Sequence, residues 1–358
     1  MNILYDFSIF THQKLGGISR YYINLDKEIN KKYKSNIVAP AHYNKFLNEY
    51  SFYEGTYYKK FPKFTGKIFN FYNKLITKQF IKYNDPEIYH KTYYNNFWPK
   101  NFKGKKFLTV YDLIHEKFHE DYNFPSNYRP KKKALENSDG IFTISHKTKE
   151  DLMEFYDVPD NKIFVTHLGI NLESNNSNEK NINSPFILFV GERKRYKNFK
   201  NLLKAFSLSK KINENFKLVV FGGGNFVYDE KNLIKEYQLN QNKILKIDGD
   251  DSVLTSLYKR ASLFVFPSKY EGFGLPLLEA ASNNCPIACS RIDVFKEIMK
   301  ENVSYFDPNI VEEIIHSMEN VLCSDTLKKN FVNDAKSILS NYSWSKCADQ
   351  TLKVYKTL

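Results

Sequence analysis

Twice along this chain, apolar segments of strand length alternate with stretches whose apolar residues recur at helical spacing, and few folds accommodate that alternation. Strand, amphipathic helix, strand buries both faces of a sheet when the strands run parallel and helices cover both sides. The first series opens with a predicted strand at residues 2–9, a loop ending in Gly16 and Gly17, and a helix over 18–31 carrying Tyr21, Tyr22, Leu25 and Ile29 on one face. Further strands are predicted at 35–39, 88–90, 106–110, 140–144 and 163–166. After the Asn-rich run 173–184, read as a linker, strands recur at 186–190, 217–221, 244–247, 263–266 and 286–288. The expected fold class is α/β, with two Rossmann-like doubly wound domains at 1–172 and 185–342, for which 358 residues suffice. In the tail 343–358, Trp344, Ala348, Leu352 and Tyr355 are spaced to bury one helix face.

In the second series, FPSKYEGFGLPLLEA (266–280) sets Glu271 and Glu279 eight residues apart around a glycine-punctuated loop. On one continuous helix those carboxylates would stand roughly 12 Å apart and could hardly serve one small group. The loop removes that obstacle. Gly272 and Gly274 permit backbone angles that other residues resist, and Pro276 suits the first position of a helix. Glu279 then falls in the first turn, whose free N–H groups and positive dipole end suit a phosphate-bearing ligand. Upstream, FILFVGERKRYKNFKNLLKAF (186–206) reads as a buried strand, a glycine turn, a basic loop and an amphipathic helix. A basic loop ahead of a helix N-terminus suits an anionic ligand, and Arg193 and Lys197 are assigned to hold it, with Arg195 as a competitor.

The pattern resembles the Glu-x7-Glu signature of retaining glycosyltransferases of the GT-B fold, family 4: an apolar strand, Pro-Ser, Glu-Gly-Phe-Gly-Leu-Pro, then a second Glu followed by Ala. The resemblance implies two Rossmann-like domains facing a central cleft, with the C-terminal helix crossing back to the N-terminal domain. It implies that Glu271 lies against the transferred sugar of a nucleotide-diphosphate donor and that Glu279 holds the ribose hydroxyls. Gly272, Phe273, Gly274 and Leu275 complete the donor loop. Retention of anomeric configuration follows the family, through a same-face route in which the leaving phosphate assists deprotonation of the acceptor. The co-substrate is a nucleotide sugar, GDP-mannose slightly preferred, and the acceptor is a glycan, lipid-linked in many members. No cofactor and no metal are expected, because cationic side chains neutralise the diphosphate.

The first domain is less specific. GGISRY (16–21) resembles the family's glycine-rich loop, and Gly16 and Gly17 either let backbone amides approach a phosphate or sugar or simply make a tight turn. Where relatives often carry His before Asp, this chain has Tyr111, which keeps one hydrogen-bonding hydroxyl. Asp112 either orients an acceptor hydroxyl or caps the next segment. His90, ahead of Tyr93, Tyr94, Phe97 and Trp98, either lines the acceptor side or belongs to the core. HEKFH (115–119) lacks the zincin arrangement. Gly222, Gly223 and Gly224 lack the GxGxxG spacing, which makes a dehydrogenase the weaker reading.

Composition bounds the partners. At 42% hydrophobic and 16% aromatic the chain can build substantial cores, and no apolar run reaches the roughly eighteen residues that span a bilayer. The opening NILYDFSIF shows neither a charged leader nor a cleavable apolar region. Cys285, Cys289, Cys323 and Cys347 have neither zinc spacing nor disulfide density, so a reducing cytoplasm is expected. A net charge of +13 arises mostly from scattered lysines without a recognition motif, and nucleic acid is not an expected partner. Residues 59–83 stand apart: Lys59, Lys60, Lys63, Lys67, Lys74, Lys78 and Lys82 interleave with Phe61, Phe64, Phe69, Phe71, Tyr72 and Phe80, with no acid among them. That suits peripheral contact with an anionic membrane at the inner face, against the plainer reading of a domain helix with a solvated basic face. The expected function is transfer of a hexose to a growing surface polysaccharide or lipopolysaccharide glycan. The alternatives are a nucleotide-sugar epimerase or hydrolase on the same fold and a catalytically silent carbohydrate-binding protein.

Overall fold

The computed structural model describes residues 1–51, 53, 55–95, 97–120, 128–171 and 182–358. They form two compact units, Met1–Gly169 with Ser343–Leu358 (unit 1) and Ile170–Tyr342 (unit 2). Of the predicted linker 173–184, residues 173–181 lie outside the described residues.

Unit 1 carries β1 (Asn2–Asp6), β2 (Lys34–Val38), β3 (Ala41–His42), β4 (Thr56–Tyr57), β5 (Ile88–Lys91), β6 (Lys105–Val110), β7 (Gly140–Thr143) and β8 (Ile163–Val165). Six of them make a parallel sheet in the order β2-β1-β5-β6-β7-β8, and β3 pairs with β4 apart from it. Unit 2 carries β9 (Phe186–Val190), β10 (Lys217–Phe221), β11 (Ile244–Ile247), β12 (Leu263–Phe266), β13 (Ile287–Ser290) and β14 (Ser304–Phe306), a parallel sheet in the order β11-β10-β9-β12-β13-β14. Every residue of β9 and β12 is buried, as parallel strands covered on both faces require. Phe199, Leu202, Leu203 and Phe206 of the helix Phe199–Leu208 close one face of this sheet.

The elements differ from the predicted ones where a side chain intervenes. The first strand stops at Asp6, whose carboxylate accepts from the N–H groups of Ser8 (3.2 Å) and Thr92 (2.9 Å) and turns the chain into the short helix Ile9–Thr11. The following helix is Gly17–Ile29. β13 begins after Pro286, which has no N–H for the ladder although its carbonyl accepts from Phe264. β14 was not anticipated.

The last helix, Trp344–Thr357, belongs to unit 1 and packs on Gly17–Ile29, with Trp344, Ala348, Leu352 and Tyr355 buried. Tyr355 reaches His90, which is fully buried in β5: its Nδ1 meets the Tyr355 hydroxyl and its Nε2 the Thr109 hydroxyl at 2.8 Å. His90 is therefore a core residue and not part of an acceptor-facing loop. The strand runs on to Lys91, one residue beyond its predicted end, and the loop starts after the imidazole.

Burial lowers the His90 pKa from 6.5 to about 3. The unfolded chain thus binds this proton first, and the stability held by neutral His90 is complete above pH 6.5 and is lost as pH falls from 6.5 toward 3. His90→Gln should lower stability at neutral pH but flatten that acid limb. Urea unfolding midpoints followed across the window check this, and an unchanged slope in the variant would assign the acid sensitivity to another group.

Candidate active site

In unit 2 the strand order reverses between β10-β9 and β12-β13, and in such sheets ligands bind outside the carboxyl ends of the strands at that switch point. Two loops meet there. The loop after β9 runs through Gly191 to Asn198, and the loop after β12 runs to Gly274. Lys269 N–H donates to the Tyr196 carbonyl at 2.7 Å, and Lys197 Nζ lies 2.5 Å from Glu271 Oε1. The two side chains are only 14% and 11% exposed. The ammonium also faces the rings of Tyr196 and Phe266, each at 5.3 Å from the centroid. Asn198 explains how Lys197 reaches this place. It adopts a left-handed backbone (φ 58°), tolerable for Asn, and its amide donates to the Pro308 carbonyl at 2.6 Å as the helix Phe199–Leu208 begins.

Arg193 does different work. Its Nε binds Glu230 Oε1 at 2.7 Å, Nη1 the Gly222 carbonyl at 2.9 Å, and Nη2 the carbonyls of Gly223, Gly224 and Asn225 at 3.0–3.3 Å. The three glycines all have positive φ (85°, 72° and 69°), and this left-handed run aims their carbonyls at one guanidinium. The other Glu230 oxygen accepts from Val227 N–H at 2.9 Å at the start of the helix Tyr228–Glu236. Arg193, expected at a diphosphate, is thus placed as the clamp of the glycine turn. Its donors point at protein carbonyls, and its side chain is 3% exposed. Arg195 lies exposed in the short helix Arg195–Lys197. Glu230 carries no motif, and its link to Arg193, 37 positions away, is legible only in the fold.

The donor loop ends at Gly274, whose φ of 113° favours glycine and whose missing Cβ would stand 3.1 Å from Phe295. The helix is Leu275–Ser282, so Pro276 takes its second position and Glu279 its second turn, one step later than predicted. Tyr258, a buried residue without a sequence signal, approaches Glu279 Oε2 with its hydroxyl at 3.3 Å. Burial, and then the charge of Glu279, hold that phenol protonated and donating. Gly272 is buried, Phe273 turns its buried ring edge to Tyr342 at 5.9 Å, and Leu275 is half-buried. Phe273 therefore has its backbone rather than its ring to offer a ligand.

Unit 1 contributes a small cavity of about 50 Å³ lined by Ile18, Tyr93, Tyr94, Tyr111, Asp112, His115 and Lys131. Tyr111 is buried edge-on to Tyr21 at 5.8 Å. Asp112 accepts from Ile114 N–H at 3.1 Å, the capping geometry considered above, while its carbonyl receives Lys131 Nζ at 3.3 Å. Lys131 in turn pairs with buried Glu116 at 2.6 Å. Gly16 and Gly17 stand at the N-terminus of Gly17–Ile29; a Cβ on Gly17 would meet nothing within 4 Å, so neither a close contact nor a left-handed angle demands glycine there.

Two doubly wound parallel sheets, one with a charged loop pair at its switch point, define the GT-B class of α/β proteins. Residues 15–174 match the family description "Glycosyltransferase Family 4" and residues 171–338 match "Glycosyl transferases group 1". The chain belongs to glycosyltransferase family 4. It is 32% identical to an uncharacterised glycosyltransferase of Methanocaldococcus jannaschii over 240 residues, 60% of this chain and 59% of that protein. It is 26% identical to O-antigen chain mannosyltransferase B of Escherichia coli over 243 residues, 63% and 62% of the two chains. These matches span about three fifths of either relative. A glycosyltransferase structure from Rickettsia africae shares the fold at a TM-score of 0.74 and 20% identity, covering 99% of this chain and 98% of that one.

Arg193→Ala should lower the stability of unit 2 by about 3 kcal/mol or more, since it strands the carboxylate of Glu230 and releases the glycine turn. Arg193→Lys should recover only part of this, because one ammonium cannot reproduce the planar fork. Urea unfolding of the three proteins checks it; a stable alanine variant would mean that Arg193 is not a clamp.

Proposed function

We propose that this chain is a retaining hexosyltransferase that moves a hexose, mannose by slight preference from GDP-mannose, to a hydroxyl of a growing lipid-linked surface polysaccharide or lipopolysaccharide glycan. The observation that carries the reading is the Lys197–Glu271 pair, which joins the two switch-point loops. An ammonium has three donors, so one bond to Glu271 leaves others for a diphosphate oxygen. As the sugar bond breaks, charge grows on that oxygen, and a preorganised cation in a partly desolvated crevice favours the charged transition state over the ground state. Glu271 would sit against the sugar, and Glu279, aimed by Tyr258, would take the ribose hydroxyls. The N-terminal amides of Leu275–Ser282 add positive potential without a side chain. Lys197 and this helix end make a divalent metal unnecessary in this reading. Similarity to an O-antigen mannosyltransferase supports the sugar and the acceptor class. No helix among the described residues is long and apolar enough to cross a membrane. In this reading the chain works at the cytoplasmic face as a peripheral protein, and the basic segment of unit 1 supports that reading.

The decisive experiment measures nucleoside diphosphate released from GDP-mannose and other nucleotide sugars with and without a glycan acceptor. Release that ignores the acceptor would favour a hydrolase; no turnover or binding of any donor would favour a silent protein. Lys197→Ala should lower turnover by about 100-fold or more, whereas Glu279→Ala should chiefly weaken donor binding. Transfer should survive EDTA, and a loss reversed by a divalent ion would overturn the metal-free assignment.

A further inference from the structure

The helix Gly66–Asn84 of unit 1 turns one side, with half-buried Phe69, Ile76 and Phe80 around Asn73 and Thr77, to the protein and leaves a second apolar stripe exposed to solvent. Its buried residues are Asn73 and Thr77. The Asn73 amide accepts from Ala41 N–H and donates to the Ala41 carbonyl, both at 2.8 Å. On the opposite side Ile68 (66% exposed), Phe71 (62%), Tyr72 (47%) and Leu75 (42%) follow the i, i+3, i+4, i+7 spacing of one continuous stripe. Phe64, just before the helix, is 97% exposed from a left-handed backbone (φ 66°) that L side chains resist. The neighbouring aromatics turn inward: Phe61 stacks on Phe69 at 4.3 Å, and Phe69 packs on Tyr58 at 4.8 Å. Lys59, Lys60, Lys63, Lys67, Lys78 and Lys82 are exposed around the stripe, and residues 55–84 contain no acid. Lys74 is the exception, half-buried with its ammonium 6.0 Å from the Phe97 ring centroid.

We infer that this face inserts into an anionic bilayer, with Phe64, Ile68, Phe71 and Leu75 below the headgroups and the exposed lysines on lipid phosphates. The inference rests on the peripheral-membrane reading above and adds that apolar insertion, and not charge alone, holds the chain. The charge selects the occupant. A second copy meeting the same face about a two-fold axis would bring two acid-free lysine clusters together, whereas an anionic interface meets both the stripe and its basic border.

The test uses the full chain and vesicles of equimolar phosphatidylcholine and phosphatidylglycerol. The Phe71→Trp variant should shift its emission to the blue on vesicle addition, relative to the parent's own tryptophans, and should be quenched by acyl-brominated lipid. Ile68→Ser/Phe71→Ser/Leu75→Ser should bind at least tenfold more weakly, while diphosphate release with a short soluble acceptor stays at the parent's rate. Salt at about 1 M, where charges are screened beyond ~3 Å, should weaken parental binding without abolishing it. Lys63→Gln/Lys67→Gln/Lys78→Gln should weaken binding mainly at low salt. Binding abolished by salt, untouched by the serine triple and giving no tryptophan shift would overturn insertion and leave the peripheral reading standing. A parent that ignores vesicles but sediments as a dimer, returned to monomer by the serine triple, would overturn both and assign the stripe to a contact between copies.

Discussion

Lys197 and Glu271 meet where the strand ladder of unit 2 can no longer hold neighbouring loops together. β9 and β12 are adjacent, but the chains leaving them turn to opposite sides of the sheet, and the crevice between them has no ladder of its own. One ion pair at 2.5 Å and one backbone bond from Lys269 to Tyr196 set the spacing. The far wall, the glycine turn after β10, is held by Arg193 through Glu230 and four carbonyls. Each wall therefore has its own cation, and the two differ in what their donors face. Arg193 is engaged by Glu230 and the turn carbonyls, while Lys197 makes one short contact with a carboxylate at the opening, which is why the proposed function rests on the lysine.

Unit 1 handles its reversal of strand order, between β1 and β5, in the opposite manner. Asp6 at the end of β1 accepts from the Thr92 N–H and hydroxyl and from Tyr89 and Ser8, knitting the two strand ends into one network. Lys91 lies 3.9 Å from that carboxylate and is wholly buried. Burial lowers its pKa to about 8, against the opposing pull of Asp6. The polar groups at this switch point are occupied with one another, and the small cavity beside Tyr111 and Asp112 lies at the end of β6 instead.

The parts of the fold and site that were legible in the sequence are those whose determinants are local. Strands such as FILFV and LFVF read as buried because parallel strands covered on both faces must be apolar throughout. Glu271, Gly274 and Lys197 sit in short runs where turn, cap and charge are neighbours in sequence. The partners of Arg193 were not legible because a basic loop states the charge and not its direction; Glu230 comes from the helix Tyr228–Glu236 and the left-handed carbonyls from the turn that precedes it. His90 closes the predicted strand 88–90, and what the sequence could not state is its partner: Tyr355, 265 positions away on the last helix, meets the imidazole and makes it core. Tyr258 orients Glu279 across 21 positions, from a helix whose sequence offers no reason to single it out.

The helix Gly66–Asn84 shows the same limit from the other side. Its lysines and aromatics are plain in the sequence, yet periodicity alone cannot say which stripe faces the protein when both are populated. β3 decides the matter. It is two residues long and pairs with β4 along one edge only, which leaves the Ala41 N–H and carbonyl open on the other. The Asn73 side chain carries the same donor and acceptor as a peptide group and closes that edge as a missing strand would. An apolar residue there would leave two buried backbone groups unpaired. Asn73, held on that edge and flanked by half-buried Phe69, Ile76 and Phe80, fixes the rotation of the helix, so that Ile68, Phe71 and Leu75 on its far side are turned to solvent.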